Sequence, residues 1–278
     1  MKKIEKIEEI QKIAYDIFLK FVNFCERNNL RYCLSGGTLL GAIRHNGFIP
    51  WDDDIDIIMP RPDYMKFLKL LQEKEKNWEK ENDLKVNSIY LNNQSIFPLM
   101  RICDERTKVY FKNNNINENS GMWIDIFPCD GVPNNPILQK LFFFYYRILA
   151  DCQVASITKL GIKRRSEFLT KLQWILFPIY FIFKKIGPLF FCKKIEKHSL
   201  RYDFNMTENV AVICGRAGIK EIMPKKDFFK LKKHIFVDRE FYIPGNYDYY
   251  LSRLYGDYMK LPPKEERVAR HEIEIYWK

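Results

Sequence analysis

The chain has 278 residues and a formal net charge of +11, and 47% of its residues are hydrophobic, including 22 Phe and 16 Tyr. This length and composition allow one large domain, or a catalytic domain with a helical annex, and argue against extensive disorder. The basic residues are spread along the chain without the aromatic and basic motifs of RNA-binding folds, so we predict no nucleic-acid partner. The positive charge suits phosphate-bearing substrates and an anionic membrane surface equally well.

The seven cysteines are scattered, odd in number and without a C-x-x-C pair, which argues against a structural zinc site and a secreted disulfide framework. A reducing cytoplasm is therefore the predicted compartment. Glutamates interrupt the apolar residues near the N-terminus, so we expect no signal peptide. The nearest candidate for a membrane span, at 172–183, is shorter than the ~20 residues that a span needs.

The predicted elements begin with an amphipathic helix over 4–25, in which isoleucine and phenylalanine recur at helical spacing. A short strand at 32–35 leads into a Gly-Gly turn, after which Thr38 is predicted to cap the next helix. A strand at 54–59 follows, prolines end it, and a further helix is predicted over 63–75.

The rest of the chain is first strand-like and then helical. Strands are predicted at 85–91, 97–103, 108–112 and 122–127, with an asparagine-rich loop at 113–121. Further elements are helices over 136–150 and 166–204, weaker strands at 210–214 and 234–242, and a last helix over 246–254. This order predicts an α+β (α/β) core followed by a mostly helical, aromatic-rich segment.

We expect three parts in the chain. They are a catalytic core over 1–135, a helical aromatic and basic segment over 136–208, and a C-terminal part over 209–278 that packs on the core.

Four carboxylates fall within five residues of the segment WDDDIDIIM. If 54–59 is a strand, Asp54 and Asp56 project to one side while Ile55 and Ile57 enter the core. Carboxylates this close repel each other, and a divalent cation between them makes the arrangement favourable. Mg²⁺, or Mn²⁺ as an alternative, takes such oxygen ligands and supports phosphoryl chemistry. A solvated acidic turn is the competing interpretation, which the apolar alternation argues against.

The segment SGGTLLGAIRH lies shortly before these acids. Gly36, Gly37 and Thr38 at a helix start would present backbone N–H groups to a phosphate, which glycine allows to approach closely. Arg44 and His45, at the end of that helix, are predicted to bind the phosphates of a nucleotide donor. An ordinary strand-to-helix turn, with Arg44 paired to a neighbouring aspartate and His45 packed, is the alternative.

A third acid, Asp125, lies in the apolar segment MWIDIFP and is expected on a strand. A buried, unpaired acid is costly, and either a place in the metal site or a role as general base towards an acceptor hydroxyl would explain it. A salt bridge from Arg101, on a neighbouring predicted strand, is the other explanation. Asp130, after the strand, is expected in a turn.

Three segments of the chain together resemble the LicD family, which includes bacterial phosphocholine transferases and the fukutin-related ribitol-phosphate transferases. They are SGGTLLGAIRHNGFIPWDDDIDIIMPRPDY (35–64), WIDIFPCDGVP (123–133) and YGDYMKLPPKEERVARH (255–271). The resemblance implies a nucleotidyltransferase-like mixed sheet. It also implies donor phosphates at Gly36 and Gly37, and Mg²⁺ on Asp54 and Asp56 with Asp125 as third ligand or base.

The resemblance also implies the substrates. Family members pass a phospho-alcohol group from a CDP-activated alcohol to a sugar hydroxyl and release CMP, and phosphocholine from CDP-choline is the commonest bacterial case. The acceptors would be sugars of lipopolysaccharide, teichoic acid or capsule. Nothing in the sequence separates choline from ethanolamine, glycerol or ribitol. The zinc-binding cysteine cluster of the fukutin-related members is absent, which favours the bacterial branch.

Further candidate substrate contacts are Asp53, Arg101, Tyr255, Asp257, Arg267 and His271. For those in the last matching segment, a fold-stabilising role is equally open.

Three alternative functions share these motifs. Nucleotidyl transfer would use the same three acids. A sugar-nucleotide glycosyltransferase would use Asp54 and Asp56 as its metal motif, but the preceding Gly-Gly turn argues against it. A membrane-associated scaffold on an inactive transferase fold would lack one of the acids, and all three are present.

The aromatic segments LFFFYY and 174–191 are flanked by lysines and arginines. This pattern suits an interfacial helix on anionic lipid, which would bring a cytoplasmic enzyme to a lipid-linked glycan at the inner face of the membrane. A helical subdomain core with solvated ends fits the same pattern.

Overall fold

The computed structural model describes residues 1–91, 95–111, 120–158, 177–269 and 273–278. The helices within these ranges are α1 (Ile7–Arg27), α2 (Gly36–His45), α3 (Arg61–Glu73), α4 (Trp78–Glu81), α5 (Pro136–Ile157), α6 (Phe177–Ile186), α7 (Pro188–Ser199), α8 (Lys225–Phe228) and α9 (Tyr247–Tyr255). The strands are β1 (Lys2–Ile4), β2 (Cys33–Leu34), β3 (Asp56–Pro60), β4 (Leu84–Asn87), β5 (Met100–Asp104), β6 (Thr107–Phe111), β7 (Trp123–Val132), β8 (Asn209–Ala211), β9 (Met223–Pro224), β10 (Lys232–Phe236), β11 (Arg239–Ile243) and β12 (Ile273–Trp277). Short 3₁₀ turns lie at Gly218–Glu221 and Lys264–Glu266.

A central sheet of seven described strands organises the molecule. Five of them follow the order β2, β3, β7, β5, β4, and β8 and β9 extend the sheet from the far half of β7. The pair β3 and β7 is parallel, whereas the other described neighbours are antiparallel. The predicted α+β class is therefore confirmed, with a mixed sheet as its core.

Helix α1 forms because apolar residues recur every three or four positions, so one side of the helix can enter the core. Phe18, Phe21 and Phe24 on that side are fully buried. Phe24 packs edge-to-face on Trp78, and Phe18 packs on Phe241 of β11 with 4.7 Å between the ring centroids. The helix thereby joins the sheet to the β10–β11 hairpin, which the sequence indicated only as one weak strand.

The two ends of the chain meet in a small antiparallel sheet with the order β1, β12, β6. Neither β1 nor β12 was predicted from the sequence. Short strands at chain ends carry little periodic signal, and their pairing depends on contacts between residues far apart in the sequence.

Other predicted elements differ from the structure at their ends. The second helix begins at Gly36 with Ser35 at its cap, so the prediction that Thr38 caps it is wrong. Most of the asparagine-rich loop, and residues 159–176 of the region predicted as helical, lie outside the described residues.

The helical segment packs on the core through its own apolar cluster. Asn135 caps α5 by accepting backbone hydrogen bonds from Ile137 and Leu138. Phe142 and Phe143 of α5 then pack against residues of β7, β8 and the 3₁₀ turn at Gly218–Glu221. Among the described helices, none is both long enough and apolar enough to cross a membrane. The three-part division of the chain stays a prediction.

A buried ionic network links α3, β7 and α7. The Arg61 guanidinium donates two hydrogen bonds to the Asp130 carboxylate, and it also pairs with Glu196. The Tyr90 hydroxyl donates to Glu196 as well. Burial raises the pKa of Glu196, whereas the Arg61 charge opposes that rise. Asp130, expected in a turn, is in fact the carboxylate that fixes this arginine.

Replacing the central cation of this network tests its contribution to stability. We expect Arg61→Met to lower the free energy of unfolding by about 3–5 kcal/mol, because Asp130 and Glu196 would stay buried without their cation. Urea unfolding monitored by circular dichroism measures the loss.

The matched control is Arg147→Met, which removes an exposed i,i+4 pair with Asp151. That variant should change the free energy of unfolding by less than about 0.5 kcal/mol. Equal stability of the two variants would contradict the role assigned to Arg61.

Candidate active site

The parallel pairing of β3 and β7 sets three acids side by side. Asp56 lies opposite Asp125 in the register, and the Asp125 N–H donates to the Ile55 carbonyl at 2.9 Å. Asp54, Asp56 and Asp125 each offer a carboxylate oxygen within 4.8 Å of the others. Ile55 and Ile57 are fully buried on the opposite side, as the alternation in the sequence predicted. The strand itself begins only at Asp56, two residues later than predicted.

The electrostatic state of Asp56 reflects this crowding. Its pKa is raised well above the usual value, first by burial and then by the negative charges of Asp54, Asp125 and Asp52, while Arg216 opposes the rise. Ionisation of Asp56 is therefore disfavoured beside these acids, and a cation bound among them would favour it.

Gly36 and Gly37 make room for carboxylates. A Cβ at Gly36 would lie 2.6 Å from an Asp56 carboxylate oxygen, and one at Gly37 would lie 2.4 Å from an Asp52 oxygen. Gly36 also has a φ of 50°, which side chains rarely adopt. The sequence assigned these glycines to donor phosphates, whereas the contacts in the structure are with the acids. Carboxylates beside the first turn of a helix are stabilised by its dipole.

Thr38 holds β3 in place from below the site. Its hydroxyl accepts a hydrogen bond from the Asp56 N–H at 2.8 Å, and the Ser35 N–H donates to the Asp56 carbonyl at 3.0 Å. Thr38 is buried. Thr38 therefore stabilises β3, and its contact with a donor phosphate stays a prediction.

Asp125 forms the salt bridge with Arg101 that the sequence left open, and its role as metal ligand or base stays a prediction. It belongs to the acid cluster, and its carboxylate accepts from the Arg101 guanidinium at 2.7 Å and from the Trp123 indole N–H at 3.3 Å. The guanidinium lies over the rings of Phe97 and Trp123, at 3.9 and 4.5 Å from their centroids. Arg101 is thus held rigidly, so it fixes the orientation of Asp125.

The acids open into a cavity of about 560 Å³. Asp52 and the three clustered acids line one part of it, together with Arg101. The remaining walls come from α5, α7, the segment 212–221 and α9. The segment predicted as a helical annex therefore contributes directly to the candidate site. The volume of the cavity is in the range of pockets that bind small organic ligands and cofactors.

Sequence reasoning missed several residues of this wall. Arg216, Glu221, Tyr250 and Gln153 all line the cavity. They lie outside the segments that carried the resemblance. An isolated residue of these types belongs to no periodic pattern or motif, so the sequence does not mark it as functional. An alignment of relatives would be needed to single them out from sequence.

Described residues of the last matching segment contact the end of α2 and their own loop. Arg44 donates to the Tyr258 carbonyl at 2.8 Å, and Arg267 donates to the Pro262 carbonyl at 2.9 Å. Burial and the Arg267 charge lower the pKa of Arg44. The alternative pairing of Arg44 with an aspartate is therefore replaced by contacts with main-chain carbonyls.

The Trp51 ring contacts both Arg267 and His45. The Arg267 guanidinium lies 5.7 Å from the Trp51 ring, and His45 packs edge-to-face on the same ring at 6.5 Å. Burial, followed by the Arg44 charge, lowers the pKa of His45. The two arginines therefore hold the loop that follows α9 against the end of α2 and Trp51.

The remaining candidates divide between cavity, core and surface. Tyr255 lines the cavity, Asp53 is buried and Asp257 is exposed in a turn. His271 lies outside the described residues.

Comparisons with known proteins match both the acids and the whole chain. The family described as LicD/FKTN/FKRP, nucleotidyltransferase domain, matches residues 29–150. Lipopolysaccharide cholinephosphotransferase LicD of Haemophilus influenzae is 33% identical over 283 aligned positions, which cover 99% of each chain. The chain belongs to the LicD family. A match of this extent makes it a phosphotransferase of that family.

Two other relatives match over shorter segments. Ribitol 5-phosphate transferase FKRP of Homo sapiens is 53% identical over 36 residues, which are 13% of this chain and 7% of that protein. The uncharacterized protein RT0683 of Rickettsia typhi is 34% identical over 106 residues, covering 38% of this chain and 28% of that protein. The LicD family match ends within α5, so Arg216, Glu221 and Tyr250 lie beyond it.

The contact between Gly36 and Asp56 can be tested by adding a methyl group. We expect Gly36→Ala to displace the Asp56 carboxylate and to add backbone strain of about 1–2 kcal/mol from its positive φ. Urea unfolding and a crystal structure of the variant measure the two effects.

Gly218→Ala is the control, because Gly218 has a similar φ of 58° with no atom within 4 Å of an added Cβ. It should show the strain alone and leave Asp56 in place. If both variants lose the same stability and Asp56 does not move, the close contact is not a constraint.

Proposed function

We propose that this LicD-family enzyme transfers phosphocholine from CDP-choline to a hydroxyl of a cell-surface glycan and releases CMP. The observation that carries the proposal is the cluster of Asp54, Asp56 and Asp125 at a cavity of small-molecule size. The likeness to a lipopolysaccharide cholinephosphotransferase over 99% of the chain supports choline as the alcohol and lipopolysaccharide as the acceptor. Teichoic acid and capsule sugars are the other acceptors of the same chemistry.

The three acids fit a divalent metal of the hard class. Carboxylate oxygens are the ligands that Mg²⁺ takes, and Mn²⁺ accepts the same set. Burial and the neighbouring acids raise the pKa of Asp56, so its ionised form is disfavoured until a cation binds. We propose that Asp54, Asp56 and Asp125 hold Mg²⁺, which when bound would neutralise charge on the transferring phosphoryl group.

The chain's own residues would orient the donor and the acceptor. In the proposed step the acceptor oxygen attacks the phosphorus that carries the alcohol. A new P–O bond forms there, the bond to the bridging oxygen breaks, CMP leaves with that oxygen, and the proton of the acceptor hydroxyl is released to solvent. Arg101 and Arg216 supply positive charge on the cavity wall for the phosphates. Asp125 is better suited to a ligand role than to a base, because Arg101 and Trp123 already donate to its carboxylate.

Two related reactions use the same site. Nucleotidyl transfer would result from attack on the other phosphorus and would leave CMP on the acceptor. Ribitol, glycerol or ethanolamine phosphate would replace phosphocholine if the donor differed, and the local likeness to a ribitol 5-phosphate transferase favours ribitol among them. Mass spectrometry of the acceptor product distinguishes all of these.

The direct test is turnover with a panel of donors and a metal-site variant. Wild type should release CMP from CDP-choline with Mg²⁺ and lose that activity with EDTA. Asp56→Asn should lower kcat by at least about a hundredfold, because the metal supplies several kcal/mol of transition-state stabilisation. CDP-ethanolamine, CDP-glycerol, CDP-ribitol and UDP-sugars complete the panel.

Asp151→Asn is the control, since Asp151 is an exposed acid on α5. It should keep wild-type activity. Near wild-type turnover of Asp56→Asn would contradict the assignment of Asp56 as a metal ligand. If CMP is released only from another CDP-alcohol, that compound is the donor and CDP-choline is not.

We also propose peripheral contact with an anionic membrane, which would bring the enzyme to a lipid-linked acceptor. Leu141, Phe144 and Ile148 recur on one side of α5 and are each about half exposed or more, at 59%, 66% and 46%. Next to them, a surface cleft is lined by Tyr145, His198 and the basic residues Lys194, Lys197 and Arg201. Exposed apolar residues beside cations suit the boundary of anionic lipids.

Vesicle sedimentation tests this surface with lipid composition as a variable. Wild type should bind vesicles that contain phosphatidylglycerol and not vesicles of phosphatidylcholine alone. Lys194→Gln and Lys197→Gln should each weaken binding about fivefold, since a basic residue near the surface contributes about 1 kcal/mol. Phe144→Gln should weaken it further.

Ile235→Gln is the matched control, because Ile235 is an exposed apolar residue on β10, at 49%. It should bind as wild type does. Equal binding of all variants would reject this surface.

A further inference from the structure

Glu221 is a buried carboxylate on the cavity wall that the proposed transfer step does not use. It lies at the end of the 3₁₀ turn at Gly218–Glu221 and is 6% exposed. Tyr146 of α5 and Tyr250 of α9 line the same cavity. An acid in such a place is costly unless a partner compensates its charge.

The position of this carboxylate is fixed by its neighbours. The Tyr250 hydroxyl donates to Glu221 at 2.9 Å and lies 3.2 Å from the Ser35 hydroxyl, from which it can accept. On the other side, a Cβ at Gly215 would lie 2.5 Å from a Glu221 oxygen. Ser35 precedes the glycines that contact the acids, so the carboxylate is connected to the metal-binding end of the cavity through two hydrogen bonds.

The aromatic residues beside Glu221 have the composition of a cation site. Tyr250 is fully buried and Tyr146 is half-buried, and burial raises the pKa of both phenols. Both rings therefore stay neutral at physiological pH. Neutral tyrosine rings attract an alkylated ammonium group through their π faces, and a carboxylate adds a full opposite charge.

We propose that Glu221, Tyr146 and Tyr250 form a recess that binds the cationic ammonium head of the donor alcohol. The inference rests on the proposed transfer from a CDP-alcohol and names the part of that donor which the cavity selects. The phosphates would lie at the acid cluster and its two arginines, and the ammonium group would lie at the recess. A neutral polyol in the same place would leave a buried carboxylate without a cation, which disfavours such donors.

The charge state of the recess gives the inference a pH signature. Burial raises the pKa of Glu221 to about 7, while the hydrogen bonds from Tyr250 and from the backbone of Ala217 oppose the rise. The other groups near it are Tyr146, neutral Cys214 with a raised pKa, and Arg216.

A quaternary ammonium has no proton to lose, so its binding follows the ionisation of Glu221. Affinity should rise about tenfold between pH 6 and pH 8, because the carboxylate is mostly protonated below its pKa and mostly charged above it.

The experiment compares donors that differ by one charge. Isothermal titration of the full chain with Mg²⁺ would measure the dissociation constants of CDP-choline, CDP alone and the CDP ester of 3,3-dimethylbutanol. In that ester a carbon atom replaces the nitrogen of choline, so the head group is neutral. Wild type should bind CDP-choline roughly tenfold more tightly than the neutral isostere. Glu221→Gln should reduce that ratio to about one, bind CDP unchanged, and lose the rise in CDP-choline affinity with pH.

Tyr146→Leu gives a second measurement, since it removes a ring and leaves the carboxylate. This variant should lower the affinity ratio of CDP-choline to the neutral ester by roughly threefold, while CDP-choline affinity should still rise with pH. An unchanged ratio in both variants would overturn the recess, as would a wild type that binds both esters equally. Equal loss of turnover with charged and neutral donors in Glu221→Gln would also overturn it, because that result indicates a role in the transfer step.

The outcome is distinguishable from failure of the proposed function. If the enzyme transfers phosphocholine but Glu221→Gln leaves the affinity ratio of the two esters unchanged, only the recess is rejected. Absence of binding by every CDP-alcohol in wild type rejects both.

Discussion

Three like charges held within a few ångströms of one another set the central constraint on this structure. Asp56 and Asp125 are direct neighbours across a parallel strand pair, and Asp54 joins them. Their mutual repulsion favours separation of the strands. Fully buried isoleucines on the opposite side, the Thr38 hydrogen bond to the Asp56 N–H and the Arg101 pair with Asp125 hold the strands together. The fold thereby keeps the three acids close together at the wall of the cavity.

The cavity above the acids depends on parts of the chain that lie far apart in sequence. Helix α5, the segment 212–221 and α9 supply walls, and the Arg61 network joins α7 to α3 and β7. The helical segment thus lines the candidate site and also carries the surface proposed for membrane contact. One face of α5 closes the cavity through Tyr146 and Gln153, and another is exposed through Leu141 and Phe144. In the proposed arrangement, α5 would lie on the membrane with one face and line the candidate site with the other, so a membrane-bound acceptor would be close to that site.

Sequence reasoning identified the acidic centre because its signal is local. Carboxylates at alternate positions of an apolar strand predict both the strand and its polar side. It did not predict the contacts that side chains make with residues distant in sequence. The glycines clear space for Asp56 and Asp52, Thr38 holds β3 instead of capping α2, and Arg44 binds carbonyls of a loop more than two hundred residues later.

The sequence by itself determined the α+β class, the family, the acids Asp54, Asp56 and Asp125, and the glycines before them. These follow from short-range periodicity and from motifs that are contiguous in the chain. Only the tertiary structure decided that Glu221, Tyr146 and Tyr250 share a cavity with the acids, and that Arg101 orients Asp125 within their cluster. The physical reason is that burial and charge compensation depend on which distant segments pack together, and no local pattern records that choice.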